Sequence, residues 1–367
     1  MRVTAGLLLY CDNKIVLVQE QVSGKYSIPK GEVHEGETYL NAAIRETEEE
    51  CGITISKDNI IPKEYFCSID IKQCSRKLFY YKATISLQQF NKRNTTESKE
   101  IKKVILCNEE EAISLIQTSQ VAVLWKEGSK INLRILNRLV IAGWINKTKH
   151  PSAQLYIYDY TNKCKRDKAW NIVTLWCRGL IVNNHGDIIA YPLKKFFEYR
   201  QLFTDCRNFQ DSFEVSEKID GFLGITYFLN GYPYIATRNS FISPQAIKGT
   251  SLLYLKHLHS ISKMNLNYSY IFEIVYPNNL LVLNYGTTED LFLIDIIDNK
   301  TGKSVIQHSS TLSFQVIKHQ PNTHDLQYYL QLNEPSKEGL VLKFPDGNRL
   351  KIKYSWFKEQ YIKKNGE

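Results

Sequence analysis

Residues 38–51 place two opposed demands on one helix. Leu40, Ala43, Ile44, Thr47 and Cys51 recur at helical spacing and predict a buried stripe. Thr38 stands where an N-cap belongs, and Gly52 where a left-handed C′ residue belongs. Glu46, Glu49 and Glu50 lie at i, i+3 and i+4, so three carboxylates share the face opposite that stripe. Like charges this close need a neutralising cation. Hard carboxylate oxygens select Mg²⁺ or Mn²⁺, and such an ion can bridge a pyrophosphate and activate a water. Gly31 and Gly36 let the preceding segment fold tightly beside the helix start. A glutamate-rich helix is by itself usually only a solvated face, so the surrounding spacing has to decide.

The rest of the chain reads as α+β in two domains. Its 367 residues suffice for two cores. Strands are expected at 3–10 and 14–20, joined through Cys11-Asp12-Asn13, and at 76–87. Helices are expected at 108–117 and 129–145. The polar stretch 146–152 contains Pro151 and is the predicted linker. Beyond it, short strands are expected at 154–160, 177–182, 187–191, 222–229, 232–237, 270–275, 280–284, 291–297, 339–344 and 348–354, a mainly antiparallel pattern. Charge divides unevenly. Residues 1–125 hold 16 Lys and Arg against 17 Asp and Glu, whereas residues 126–367 hold 31 against 21, a net of +10. A basic C-terminal half suits a polyanionic partner. The eight cysteines form no CxxC pair, which predicts reduced thiols in a cytoplasmic setting. No segment predicts a signal peptide or membrane span.

Gly31, Glu37, Arg45-Glu46, Glu49-Glu50 and Gly52 fall at every position of the Nudix box. Together with Pro29-Lys30 they make residues 1–128 resemble Nudix hydrolases, which implies an α/β/α sandwich. The resemblance implies that Glu46, Glu49 and Glu50 bind Mg²⁺ or Mn²⁺, with Arg45 orienting Glu46. Glu46 is a candidate general base, and Glu97 or Glu100 a further ligand or base. The implied substrate class is a nucleoside diphosphate linked to another group. There is also a diffuse likeness to diadenosine polyphosphate hydrolases.

A second constellation follows in fixed order: Lys218-Ile219-Asp220-Gly221, Phe272-Glu273, Glu338-Gly339 and Lys351-Ile352-Lys353. A lysine amine can attack the α-phosphorus of a nucleoside triphosphate and hold the nucleotide as a phosphoramidate. Lys351 and Lys353 alternate on one strand and so face one side. Upstream lie Cys177-Arg178-Gly179 and Tyr191-Pro192-Leu193-Lys194-Lys195-Phe196-Phe197. This set resembles the phage-type ATP-dependent RNA ligases of the covalent nucleotidyltransferase superfamily, over residues 153–358. The resemblance implies Lys218 as the adenylylated nucleophile. It implies Asp220, Gly221, Glu273, Glu338, Lys351 and Lys353 as nucleotide-site residues, Arg178 and Lys195 as phosphate contacts, and Arg238, in Thr237-Arg238-Asn239-Ser240, as a nucleotide-site residue of the next motif. Only 14 residues follow Lys353, so no appended C-terminal OB domain is expected.

The reading is therefore residues 1–147 as a Nudix domain with a connecting helix, and 148–367 as an RNA ligase nucleotidyltransferase domain. The implied ligase seals a 5′-phosphate to a 3′-hydroxyl of RNA through lysyl-AMP, using ATP and Mg²⁺ or Mn²⁺, with end-healing proteins as partners. The Nudix site then processes or resets RNA 5′ ends, or cleaves dinucleoside polyphosphates. The alternatives are a capping-type guanylyltransferase and a non-catalytic RNA-binding sensor.

Overall fold

The computed structural model describes residues 2–70, 76–94, 100–199, 212–277 and 282–365. The fold is α+β with mostly antiparallel sheets and divides into two compact units. The first comprises Met1–Glu127, Ile131–Asn146 and Tyr160–Leu175; the second comprises Gly128–Lys130, Lys147–Asp159 and Trp176–Glu367.

The first unit is organised by strand Arg2–Cys11. It turns through Asp12 and Asn13, at φ 44° and 63°, into strand Lys14–Glu20. Two consecutive left-handed residues are what a tight hairpin demands, and Asp and Asn tolerate them well. On its other side Arg2–Cys11 runs parallel to Arg76–Ile85, from Arg2↔Arg76 to Cys11↔Ile85. Strands Tyr26–Ser27, Lys30–Glu32, Ile60–Asp70 and Ile101–Cys107 complete a seven-stranded sheet. Helix Tyr39–Cys51 packs on one face, where Ala42, Ala43 and Cys51 join Leu7, Leu9, Val16 and Val18 in one core. Thr38 Oγ1 caps it by accepting from the Asn41 N–H, and Gly52 closes it at φ 65°. Leu8 and Leu17, on the alternate face, are equally buried. Helix Glu109–Leu115 packs against strand Lys14–Glu20 and against helix Leu133–Ile141.

Three further sheets are formed mainly by residues of the second unit. One orders Ile188–Ala190, Arg178–Asn183, Leu155–Tyr160 and Ile145–Lys149. The next orders Phe197–Glu198, Arg349–Lys353, Gly339–Lys343, Glu214–Lys218 and Gln320–Pro321. The last orders Tyr232–Ala236, Phe222–Leu229, Tyr268–Val275, Asp290–Asp298 and Gln315–Val316. Phe272, Ile274, Leu291, Leu293 and Phe314 form the core of the last sheet, and Leu342, Leu350 and Phe213 that of the one before it. A buried ion pair, Arg349 to Asp295, ties these two sheets together.

Three expectations need correction. The helix expected over 129–145 forms only at Leu133–Ile141, because Gly143 at φ 73° ends it. The stretch 146–152 is not a bare linker, since Ile145–Lys149 is a strand. Its exposed lysines concealed it, yet Lys147 Nζ lies 4.0 Å from the Tyr156 ring, whose face it covers. The strand expected over 280–284 does not form at 282–284, and residues 280 and 281 lie outside the described residues. Among the described residues no helix is long and apolar enough to cross a membrane.

Candidate active sites

In the second unit, three strands come level at one point. The register pairs Lys218 with Gly339, and Gly339 with Lys353. Gly339 sits at φ 148°, and a Cβ there would lie 1.9 Å from the Ile352 carbonyl oxygen, so only glycine fits. Its neighbour Glu338, 3% exposed, lies between the two lysines. Lys218 Nζ donates to Glu338 Oε2 at 2.6 Å, and Lys353 Nζ pairs with Glu338 Oε1 at 2.8 Å. Lys351, one repeat back on the same strand, is pushed down to about 8, first by burial and then by Lys353, Arg178 and Lys218. Glu273 is pushed up to about 7 by burial, against the pull of Lys218 and Arg178 and with the push of Glu338 and Asp220. Gly221 leaves room for it, since a Cβ there would lie 2.6 Å from Glu273 Cγ.

Asp220 lies in the same cluster, where Glu338 and Lys218 both act on its carboxyl group. Its Oδ2 accepts from the N–H groups of Val282 and Leu283, at 2.8 and 3.0 Å, and its own N–H donates to Tyr285 Oη at 2.8 Å. It fastens the 282–285 segment beside Lys218. Burial raises its pKa in spite of those bonds. Arg178 opens its strand opposite Asp159 and lies over the Phe196 ring, 5.3 Å away. Arg238 Nε pairs with the buried Asp159, the strand partner of Arg178, at 3.0 Å. Lys195 Nζ donates to the Phe196 carbonyl at 2.8 Å and stands over Phe197. The following strand, Phe197–Glu198, pairs with Leu350 and Lys351. Sequence reasoning missed Asp159 and Tyr285. Neither carries a local signal, because each is placed by residues far away in the chain.

In the first unit, Arg45 is the centre. Its Nε and Nη2 hold the Glu37 carboxylate, each at 3.1 Å. Its Nη1 reaches Glu46 at 2.7 Å and Glu49 at 3.1 Å, and Nη2 donates to the Glu32 carbonyl at 2.8 Å. The guanidinium holds Glu37 below the usual carboxylate range. Glu46 is raised by burial and by Glu49 and Glu100, although Arg45 opposes the shift. Glu50 is pushed up to about 7, mainly by burial, and its Oε2 accepts from the Lys30 N–H at 2.9 Å. Gly31 packs directly on Glu46, for a Cβ at Gly31 would lie 1.9 Å from its carboxylate.

Glu46 and Glu49 thus meet through Arg45, while Glu50 turns to the loop. Among the described residues no three His, Cys, Asp or Glu side chains converge on one point. The donor chemistry nonetheless fits a divalent cation. These are hard oxygen donors whose negative charges raise one another's proton affinity. Glu97 lies outside the described residues; Glu100 is exposed and adds to the negative potential at Glu46 and Glu50.

The RNA ligase family model matches residues 176–359, half of the chain. This chain belongs to the RNA ligase family. The NUDIX domain model matches residues 1–124 of the same chain. Solved structures resemble its parts. A C. elegans Ap4A hydrolase in a binary complex is 26% identical over 33% of this chain and 92% of its own, with a TM-score of 0.29. A Naegleria gruberi RNA ligase with ATP and Mn is 20% identical over 41% of this chain and 52% of its own, with a TM-score of 0.35. A chain described as an ATP-dependent DNA ligase from Aquifex aeolicus is 16% identical over 64% of this chain and 65% of its own, with a TM-score of 0.47. This RNA ligase family member spans about half of the Naegleria chain. No curated protein matches it.

Proposed function

We propose that this RNA ligase family member seals RNA through a Lys218-AMP intermediate, and that its Nudix site cleaves pyrophosphate links at RNA 5′ ends. The carrying observation is Glu338 held between Lys218 and Lys353. The amine must attack as a neutral nucleophile, and Glu338 Oε2 stands at hydrogen-bond distance to take its proton. A bond forms from Nζ to the α-phosphorus of ATP, and the bond to the bridging oxygen breaks, releasing pyrophosphate. AMP then passes to a 5′-phosphate of RNA, and a 3′-hydroxyl displaces it to close the strand. Lys351, Lys353, Arg178, Arg238 and Lys195 are the cations for the phosphates, Glu273 faces the nucleotide, and Asp220 holds the 282–285 segment in place.

In the Nudix domain, Glu46, Glu49 and Glu50 would hold Mg²⁺ or Mn²⁺, which supplies charge neutralisation on a pyrophosphate and a more acidic water. Arg45 aims Glu46 and Glu49. Ligation needs a 5′-monophosphate, and cutting a pyrophosphate link at an RNA end leaves one. The A(5′)pp(5′) link of stalled adenylylated RNA has the same chemistry.

The test has two arms. Incubation with α-labelled ATP or GTP should leave label from ATP, and not GTP, on the denatured chain. Competition among adenylylated RNA, 5′-triphosphate RNA, dinucleotide-capped RNA and free diadenosine tetraphosphate should show cleavage of RNA ends. Label from GTP alone would indicate a capping-type guanylyltransferase, no label a non-catalytic protein, and cleavage of the free dinucleotide alone would defeat end processing.

A further inference from the structure

We propose that the outer face of strand Tyr232–Ala236 is a stacking platform for unpaired bases of the RNA being sealed, with Tyr232 and Tyr234 as its rings. The inference rests on the RNA-sealing reading above. Tyr232 is 62% exposed and Tyr234 37%, and residues two apart on a strand share a face. Tyr234 is backed from inside. Its ring stacks on Tyr227 at 5.8 Å and 29°. Tyr227 is buried, set edge-on to Phe241 at 5.2 Å, and its hydroxyl meets His150 Nε2 at 3.1 Å. One face of Tyr234 is thus used in holding the ring still, which lowers the entropy cost of binding on the other.

The backbone of the same strand argues for rings as the point of contact. Tyr232–Ala236 ends its sheet, and an end strand invites pairing by a strand from another protein. Here that route is closed. Pro233 has no N–H to offer. The Ile235 N–H donates to Thr250 Oγ1 at 2.9 Å, and the Thr250 hydroxyl lies 3.4 Å from the Ile235 carbonyl. The exposed ring faces remain, and every nucleobase has a face to stack on them.

Charge and direction favour the same partner. Residues 126–367 carry a net +10, which attracts a phosphate backbone. The strand ends at Ala236 and the chain turns at Thr237–Ser240, placing Arg238 at most about 13 Å from Tyr234 at about 3.3 Å per residue. Arg238 in turn lies against Gly179, next to Arg178. A strand of RNA stacked on the tyrosines would thus point its backbone toward the arginines assigned to phosphate.

The experiment uses the full chain with Tyr232→Ala/Tyr234→Ala, the matching pair of Phe substitutions, and Tyr232→Ala alone. Three quantities are read: labelling from α-labelled ATP, the Kd for a fluorescent single-stranded 5′-phosphorylated oligoadenylate, and the mass in solution. Labelling should stay within about twofold of the unsubstituted chain, since the ATP site is untouched. The Ala pair should weaken oligoadenylate binding about ten- to a hundredfold, and the Phe pair by less than about threefold. If the Ala pair loses labelling through misfolding, Tyr232→Ala at the outer ring carries the test. Unchanged Kd in a labelled Ala variant overturns the proposal, as does an unsubstituted chain that labels but does not bind the oligoadenylate. So does a change in mass with unchanged Kd, which marks a protein-docking face. Failure of the unsubstituted chain to label would instead strike the sealing reading, leaving the Kd comparison to judge the platform.

Discussion

The two sites are built with inverted charge. In the Nudix domain one cation, Arg45, serves the carboxylates Glu37, Glu46 and Glu49. In the ligase domain one carboxylate, Glu338, serves the cations Lys218 and Lys353. In both, the minority charge organises the majority. The fork of Arg45 matches several carboxylates at once. The two oxygens of Glu338 match two ammonium groups. Each site thus pre-arranges the charge that its phosphate chemistry would use, with the balancing ion already part of the protein.

The largest effects should come from breaking the ligase side of that comparison. Lys218→Ala should abolish label transfer from ATP, and Lys218→Arg should fail equally, because a guanidinium stays protonated. Nudix hydrolysis should continue in both. Glu338→Gln keeps the shape but leaves two lysines facing an amide. Lysyl-AMP formation measured in single turnover should fall on the order of a thousandfold, about 4 kcal/mol in the barrier.

On the Nudix side, Glu49→Gln should cut metal-dependent pyrophosphate hydrolysis by at least about a hundredfold, on the order of 3 kcal/mol. Sealing of a ready 5′-phosphate RNA should persist, and survival of hydrolysis on every active substrate would misplace the site. Arg45→Lys keeps the charge but loses the fork. It should reduce the same rate about tenfold, with hydrolysis at saturating metal as the readout.

The smallest effect concerns pH. Burial and the neighbouring cations push Lys351 down to about 8, so its positive charge is present below that pH and fades above it. The KM for ATP should rise a few-fold, in line with the loss of one phosphate contact, as pH increases through 8. Lys351→Arg should flatten that rise. A wild-type KM that stays constant across this range would show that Lys351 does not contact the phosphates.

Local chemistry was the legible part of this chain. Thr38, Gly52 and the Asp12-Asn13 turn each announce a conformation through their own side chains, and each adopts it. The apolar run Phe222–Leu229 was equally plain. Strand Glu214–Lys218 was not, although it carries the proposed nucleophile. Its sequence, EVSEK, has one apolar residue, and it becomes a strand through pairing with Gly339–Lys343. Helix Pro244–Lys256 escaped because Ile247 and Leu255 are exposed and blur the apolar stripe. Lys218 and Glu338 were each recognisable, but their contact spans 120 positions and depends on three-strand register. The same limit applied to Asp220, whose carboxylate is committed to the backbone of Val282 and Leu283.

Gly31 turns the Nudix site into a matter of volume as well as charge. The Glu46 carboxylate occupies the space that any side chain at residue 31 would claim. A single added methyl group would therefore evict a proposed catalytic oxygen without changing a charge anywhere in the protein. For the protein engineer this would be a silencer that leaves the net charge unchanged, separating loss of the proposed Nudix activity from altered RNA affinity.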